Sequence, residues 1–190
     1  MSFNSQAVSI ERGWVSTARS CPSPNCGPRP EGALVSLLVI HNISLPPGHY
    51  GGGWIEQFFT NRLDPAAHPY FTEIVDLKVS SHLLVTREGE LVQFVNLDDR
   101  AWHAGASCFE GVTECNDFSI GIELEGTDTE PYTDAQYRTL GEVSRAIMAQ
   151  YPAVTAGRIA GHCDIAPGRK TDPGPAFDWS RYRQIINSEA

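Results

Sequence analysis

Residues 35–42, VSLLVIHN, and residues 118–125, FSIGIELE, carry the reading of the fold. Val35 to Ile40 is a continuous apolar run, the pattern of a strand covered on both faces. It ends at His41 and enters a Pro/Gly-rich loop, NISLPPGHYGGG. The second stretch alternates. Phe118, Ile120, Ile122 and Leu124 face one way, and Ser119, Gly121, Glu123 and Glu125 face the other.

Working outward, Lys78 to Arg87 and Glu90 to Leu97 predict a hairpin joined through Glu88-Gly89. Arg158 to Cys163 predicts a short strand that delivers His162. Helices are expected at Trp54 to Thr60, at Thr133 to Tyr151 and from about Trp179 to Asn187. The middle one has the clearest signature. Thr133 and Gln136 form a capping box, Tyr132 staples against Tyr137, and Tyr137, Leu140, Ile147 and Tyr151 mark an apolar stripe. The last helix turns Trp179, Tyr182, Ile185 and Ile186 inward. Strands and helices interleave without strict βαβ regularity. The expected fold is therefore mixed α/β, a central mixed β-sheet flanked by α-helices over residues 35–190. Residues 1–34, rich in Pro and Gly and weak in periodicity, read as an irregular N-terminal arm. There is no internal repeat.

The chain has 190 residues, 41% hydrophobic and 19% charged, which suits one globular domain with a real core. Its net charge is −9, from 14 Lys and Arg against 23 Asp and Glu, with no basic stripe for nucleic acid. No run reaches the roughly 18 apolar residues of a membrane-spanning helix. The first residues, MSFNSQAVSIERGW, lack the basic start and apolar core of a secretory signal. Five cysteines cannot all pair internally, and free thiols in a reducing cytoplasm are the simplest expectation. A structural zinc site from Cys21, Cys26, Cys108 and Cys115 is a lesser alternative, since the spacings are looser than zinc-knuckle pairs. A monomer without membrane or nucleic-acid partners is expected.

Chemistry concentrates in GHCDIAPGRKTDPGPAFDW, Gly161 to Trp179, an irregular Gly/Pro-rich stretch of the kind that usually carries function. His162 and Asp172 suit a divalent metal, Zn²⁺ above all, and His41 at a strand end supplies a third ligand. A zinc with three protein ligands keeps one position open, acidifies water and polarises a carbonyl. Glu123, on the small-residue face of its strand, then reads as the acid/base, and Lys170 as the cation facing a developing oxyanion. Together these predict metal-assisted amide hydrolysis. Each residue also has a plainer alternative. A strand-end His is often only packed and hydrogen-bonded, and His49, His68 and His82 are assigned to that plainer role. Glu123 is otherwise a solvated strand residue, Lys170 a surface cation, and Asp172 a turn former before Pro173. Cys163 competes with His162, but strand neighbours face opposite sides, so Cys163 is assigned to the core.

LLVIHNISLPPG (Leu37 to Gly48), DPAAHPYF (Asp64 to Phe71), AWHAG (Ala101 to Gly105), CNDFSIGIELEGTD (Cys115 to Asp128) and GHCDIAPGRKTDPG together carry a resemblance. Over roughly residues 10 to 185 the chain resembles the zinc N-acetylmuramoyl-L-alanine amidase and peptidoglycan recognition protein superfamily. Within it, the likeness is to the cytosolic 1,6-anhydro-N-acetylmuramyl-L-alanine amidases. The resemblance implies a central mixed sheet with flanking helices and a Zn²⁺ cofactor on His41, His162 and Asp172. It also implies Glu123 as the acid/base, Lys170 at the oxyanion, and Tyr70 near the metal as a positioning or substrate-contact residue. Asn42, Trp102 and His103 match positions lining the family's cleft. Lys78 stands where a relative carries Arg, keeping the charge but losing a bidentate fork, and Glu114 stands where close relatives can have Arg. The implied substrate is an anhydromuropeptide, cut between the lactyl group and L-alanine during cell-wall recycling. In a host with an inducible β-lactamase such an enzyme would indirectly restrain induction. An acidic protein acting on an acidic peptide must rely on zinc, Lys170, Lys78 and nearby arginines for its local field. The alternatives are an autolysin-type amidase on intact murein, and a peptidoglycan-binding module without catalysis.

Overall fold

The computed structural model describes residues 7–188. Its centre is a six-stranded sheet built from β1 (Arg19–Ser20), β2 (Leu37–Ile43), β3 (Leu83–Val85), β4 (Leu91–Gln93), β5 (Ser119–Glu125) and β6 (Ile159–Gly161). The spatial order is β6-β2-β5-β3-β4-β1. β6, β2, β5 and β3 run parallel, β3 and β4 form the expected antiparallel hairpin, and β1 pairs parallel with β4, so the sheet is mixed. The helices are α1 (Trp54–Phe59), α2 (Phe71–Ile74), α3 (Asp134–Gln150), α4 (His162–Ile165) and α5 (Trp179–Asn187). No described helix is long and apolar enough to cross a membrane.

The apolar run of β2 is buried on both sides, as its sequence requires: Leu37, Leu38, Val39 and Ile40 are fully inaccessible. Leu38 and Ile40, with Ile120, Ile122 and Leu124 of β5, pack on Tyr137, Leu140, Val143 and Ile147 of α3 and Tyr182 and Ile186 of α5. Leu37 and Val39 face the other way, onto Ala104, Cys115, Ala160 and Ile165. A separate apolar layer under α1 and α2 joins Phe58, Phe59, Phe71 and Ile74 to Leu84, Val92 and Phe94. Both faces of β5 are covered, and every residue of that strand is buried. Loops and the short helices cover the side that carries Ser119, Gly121 and Glu123.

The capping box of α3 is present: Thr133 Oγ1 accepts from Gln136 N at 3.1 Å, and Gln136 Oε1 accepts from Thr133 N at 3.1 Å. Gln136 Nε2 also donates to Glu125 O at 2.8 Å, so the cap ties the helix to the end of β5. Tyr132 and Tyr137 meet edge to face, with ring centroids 6.4 Å apart.

Three expectations change. The N-terminal arm is more regular than its composition suggests. Its described part forms four short strands, Ile10–Glu11, Trp14–Val15, Arg19–Ser20 and Cys26–Gly27, the third on the edge of the main sheet, while residues 1–6 lie outside the described region. Arg29 fastens the arm by donating to the carbonyls of Asn116, Asp117, Leu97 and Ser119 at 2.9–3.1 Å. The predicted strand through Cys163 stops at Gly161, and His162 begins α4. With helical rather than strand geometry, Cys163 turns outward and is half-buried instead of core. All five cysteines are free thiols, and none joins a metal-ligand cluster among the described residues.

Candidate active site

β2 and β5 are neighbours in register, with His41 opposite Glu123, Val39 opposite Gly121 and Leu37 opposite Ser119. Parallel partners share a face, so His41 and Glu123 project from the same side, near the carboxyl ends of the strands where open α/β sheets hold ligands. His162 follows β6, on the other flank of β2. Asp172 is brought back to it because Cys163 N donates to Asp172 O at 2.9 Å. Next along the chain, Pro173 O accepts from Asn42 Nδ2 at 3.1 Å and from Tyr132 Oη at 2.8 Å, which secures the turn that presents Asp172.

The three predicted ligands converge. His41 Nδ1 lies 3.0 Å from His162 Nδ1, and each lies 3.1 Å from Asp172 Oδ2. No other group of three or more His, Cys, Asp or Glu converges in this way among the described residues. Tetrahedral zinc with nitrogen and oxygen ligands at about 2.0–2.1 Å separates those atoms by roughly 3.3 Å, so the triangle has the right size. The protonation pattern fits as well. His162 Nε2 donates to Ala104 O at 3.0 Å, and a carbonyl only accepts, so Nδ1 is the ring nitrogen left to serve the triangle. Burial pushes His41 down to about 4, against the opposing pull of Asp172, and keeps that ring neutral. Burial would raise the Asp172 carboxyl, but the adjacent His162 and His41 imidazoles outweigh it and hold Asp172 well below the usual carboxylate range, so it meets the triangle ionised. Three lone-pair donors facing one another at this distance call for a cation between them.

Glu123 is 9% exposed, and its Oε2 is buried without a hydrogen-bond partner. Burial, then the charge of Asp172, raises its pKa well above the ordinary value, while Lys170 opposes the shift. The solvated-strand alternative is excluded by that burial. Glu123, Lys170 and the three ligands share a cleft of about 380 Å³ with Asn42, Tyr70, Trp102 and His103. One wall is apolar, formed by Phe58, Phe59, Ile74 and Leu77. Lys170 is exposed at the edge of the cleft. Lys78 is exposed and stands outside the lining, although Leu77 and Val79 belong to it. Glu114 also lies outside, 3.7 Å from Arg100.

The small-residue face of β5 accommodates a side chain from a distant loop. A Cβ on Gly121 would stand 2.6 Å from Cγ and Nδ1 of His103, so the glycine makes room for an imidazole rather than for a ligand. Of the histidines set aside as structural, His68 Nδ1 accepts from Tyr70 N at 3.1 Å. His82 is buried, with Nδ1 accepting from Gly121 N and Nε2 donating to Asp99 O, both at 3.0 Å. Asn116 and Arg169 escape a sequence reading. Asn116 Oδ1 accepts from the backbone N–H groups of His103 and Ala104 at 3.1 and 2.8 Å, and Arg169 Nη2 donates to Ala104 O at 2.6 Å. Only the nearness of Arg169 to Lys170 hints at it in the sequence.

The chain is similar to known proteins over nearly its whole length. The family described as N-acetylmuramoyl-L-alanine amidase matches residues 31–175. The chain is 58% identical over 180 residues to the 1,6-anhydro-N-acetylmuramyl-L-alanine amidase AmpD of Escherichia coli K12, covering 95% of this chain and 98% of the relative. A crystal structure of a selenomethionine derivative of AmpD superposes with a TM-score of 0.91 at 57% identity, covering 93% of this chain and 98% of that one. The E. coli amidase AmiD, solved with anhydro-N-acetylmuramic acid-L-Ala-D-γ-Glu-L-Lys as substrate, gives a TM-score of 0.60 at 28% identity, over 94% of this chain and 65% of that one. The chain therefore belongs to the N-acetylmuramoyl-L-alanine amidase family and is an amidase of that class.

Proposed function

We propose that the protein hydrolyses the amide between the lactyl group of 1,6-anhydro-N-acetylmuramic acid and L-alanine in anhydromuropeptides, as a cytoplasmic, zinc-dependent enzyme of cell-wall recycling. The observation that carries this reading is the triangle of His41 Nδ1, His162 Nδ1 and Asp172 Oδ2 opening onto the cleft that holds Glu123. The substrate follows from the relatives, whose names and bound ligand specify that linkage.

His41, His162 and Asp172 hold the zinc, which when bound supplies a Lewis acid for the scissile carbonyl and acidifies water. Two neutral imidazoles and one carboxylate leave the centre net positive. Glu123 is the proton carrier. Its partnerless Oε2 takes a proton from the attacking water and returns it to the nitrogen of the departing L-alanine, so acid and base are one group used twice. Lys170, at the cleft edge, faces the carbonyl oxygen and stabilises the charge that develops there. Asn42 spends its amide on Asp128 and Pro173, which leaves its carbonyl for substrate, with Tyr70 and Trp102 as further contacts. Lys78, exposed outside the cleft, attracts the acidic stem peptide at long range. Residues 35–190 are the catalytic domain and residues 1–34 its arm, together one globular unit acting as a monomer.

The test is mass spectrometry of products from soluble anhydromuropeptide and from whole sacculi, with metal analysis of the same preparation. Free peptide from the soluble substrate, abolished by chelation and restored by Zn²⁺, is the expected result. Preference for sacculi would assign the chain to autolysin-type work instead, and zinc-loaded protein that cleaves neither would make it a binding module.

A further inference from the structure

Behind the two imidazoles lies one short loop. His41 Nε2 stands 2.9 Å from His103 Nδ1, and His162 Nε2 stands 3.0 Å from Ala104 O, so neighbouring residues in the chain back both rings. With Nδ1 of His41 turned to the metal, its single proton sits on Nε2 and is donated to His103 Nδ1. His103 then carries its own proton on Nε2, 3.1 Å from Ser119 Oγ, and Ser119 donates onward to Cys115 O at 2.6 Å. That carbonyl cannot donate in return, so it sets the direction of every bond in the chain.

We propose that His103 is a positioning residue for the metal centre, selecting the Nε2–H tautomer of His41 and aiming its Nδ1 at the ion. Ser119, fully buried at the start of β5, fixes the orientation of His103. Two features of the fold are built around this ring. Gly121 vacates the space it fills, and Asn116 pins its backbone N–H and that of Ala104 with one carbonyl oxygen. Both ring nitrogens of His103 are therefore committed to protein partners, although an edge of the ring borders the cleft. Partners of this kind typically raise metal affinity by 10–100-fold, on the order expected from orienting a ligand and increasing its basicity.

The inference rests on reading His41, His162 and Asp172 as zinc ligands, and the experiment separates the two. Zn²⁺ affinity is measured by chelator competition on the full chain for the wild type, His103→Phe, His103→Asn and Ser119→Ala, with the melting temperature of each metal-free protein alongside. Phe keeps the ring volume and removes the acceptor, whereas Asn restores an acceptor near the position of Nδ1. His103→Phe should weaken zinc binding by roughly 10–100-fold, His103→Asn should recover most of that loss, and Ser119→Ala should fall between wild type and His103→Phe. Affinity in His103→Phe within about two-fold of wild type, or a loss in His103→Asn as large as in Phe, would overturn the proposal, since an acceptor at that position would then make no difference to zinc binding. If His103→Phe does not fold, Ser119→Ala decides alone, and an unchanged affinity there rejects the role. A wild-type chain that binds no zinc would instead remove the ligand reading itself.

Discussion

Glu123 and Asp172 are both carboxylates in one cleft, yet their surroundings drive them in opposite directions. Asp172 is held ionised by two imidazoles, and Glu123 is pushed toward its protonated form by burial and by Asp172 itself. That separation of proton affinities is what assigns ligand and acid/base roles to two chemically similar side chains. We expect Glu123→Ala to keep zinc while losing about 10²–10⁴-fold in kcat, and Asp172→Ala to lose the metal. Zinc content and steady-state rates on the same preparations check both, and full turnover in Glu123→Ala would remove it from the mechanism. Lys78 keeps a charge outside the cleft, and its position is consistent with long-range attraction of an acidic peptide rather than a fixed contact.

At the scale of elements, α3 is anchored at its first turn as much as along its apolar stripe. Thr133 Oγ1 both accepts from Gln136 N and donates to Arg87 O at 2.7 Å, so one hydroxyl joins the helix to the loop after β3. Thr133→Ala should cost about 1 kcal/mol, the usual value of an N-cap, read from urea unfolding midpoints. Gln136→Ala would remove the reciprocal bond and the donors to Glu125 O and Val85 O. The arm is held differently, by a guanidinium. Burial pushes Arg29 down to about 10, which still leaves it charged at neutral pH, and its donors serve four backbone carbonyls. Arg29→Met should destabilise the chain by at least about 2 kcal/mol, because buried acceptors lose a charged donor. Retained stability in that variant would show the arm to be dispensable.

For the whole molecule, acid should be more damaging than base. Burial, then the charge of Arg29, lowers His82 to about 3. An unfolded His takes up its proton near pH 6.5, so the folded form binds fewer protons between those values. The contribution of His82 is complete above about pH 6.5 and declines as pH falls toward about 3. Urea unfolding in chelator at pH 7 and pH 5 should therefore show a smaller loss for His82→Gln than for the wild type. Equal losses would place the acid sensitivity elsewhere.

How much of this was legible in the sequence follows from the range of each interaction. Continuous and alternating apolar runs, the Thr133–Gln136 cap and the chemistry of His41, His162 and Asp172 are properties of short segments or of residue type, and the chain declares them directly. Glu123 and Lys170 were read from residue type and position in the same way, and the resemblance of the sequence to a known family implied the same roles for them. What only tertiary structure decided depends on residues far apart in the chain meeting at particular atoms. The start of α4 at His162, rather than a strand through it, is accompanied by Asp164 Oδ2 accepting from Gly161 N at 2.7 Å and by the long-range bond from Cys163 N to Asp172 O. The burial of Glu123 without a partner is set by loops covering β5. The bonds from His41 to His103 and from His162 to Ala104 span 62 and 58 positions, and nothing local to either imidazole specifies which nitrogen would face the metal. Periodicity reports which side of an element is buried; only packing determines which atom, in which protonation state, waits on that side.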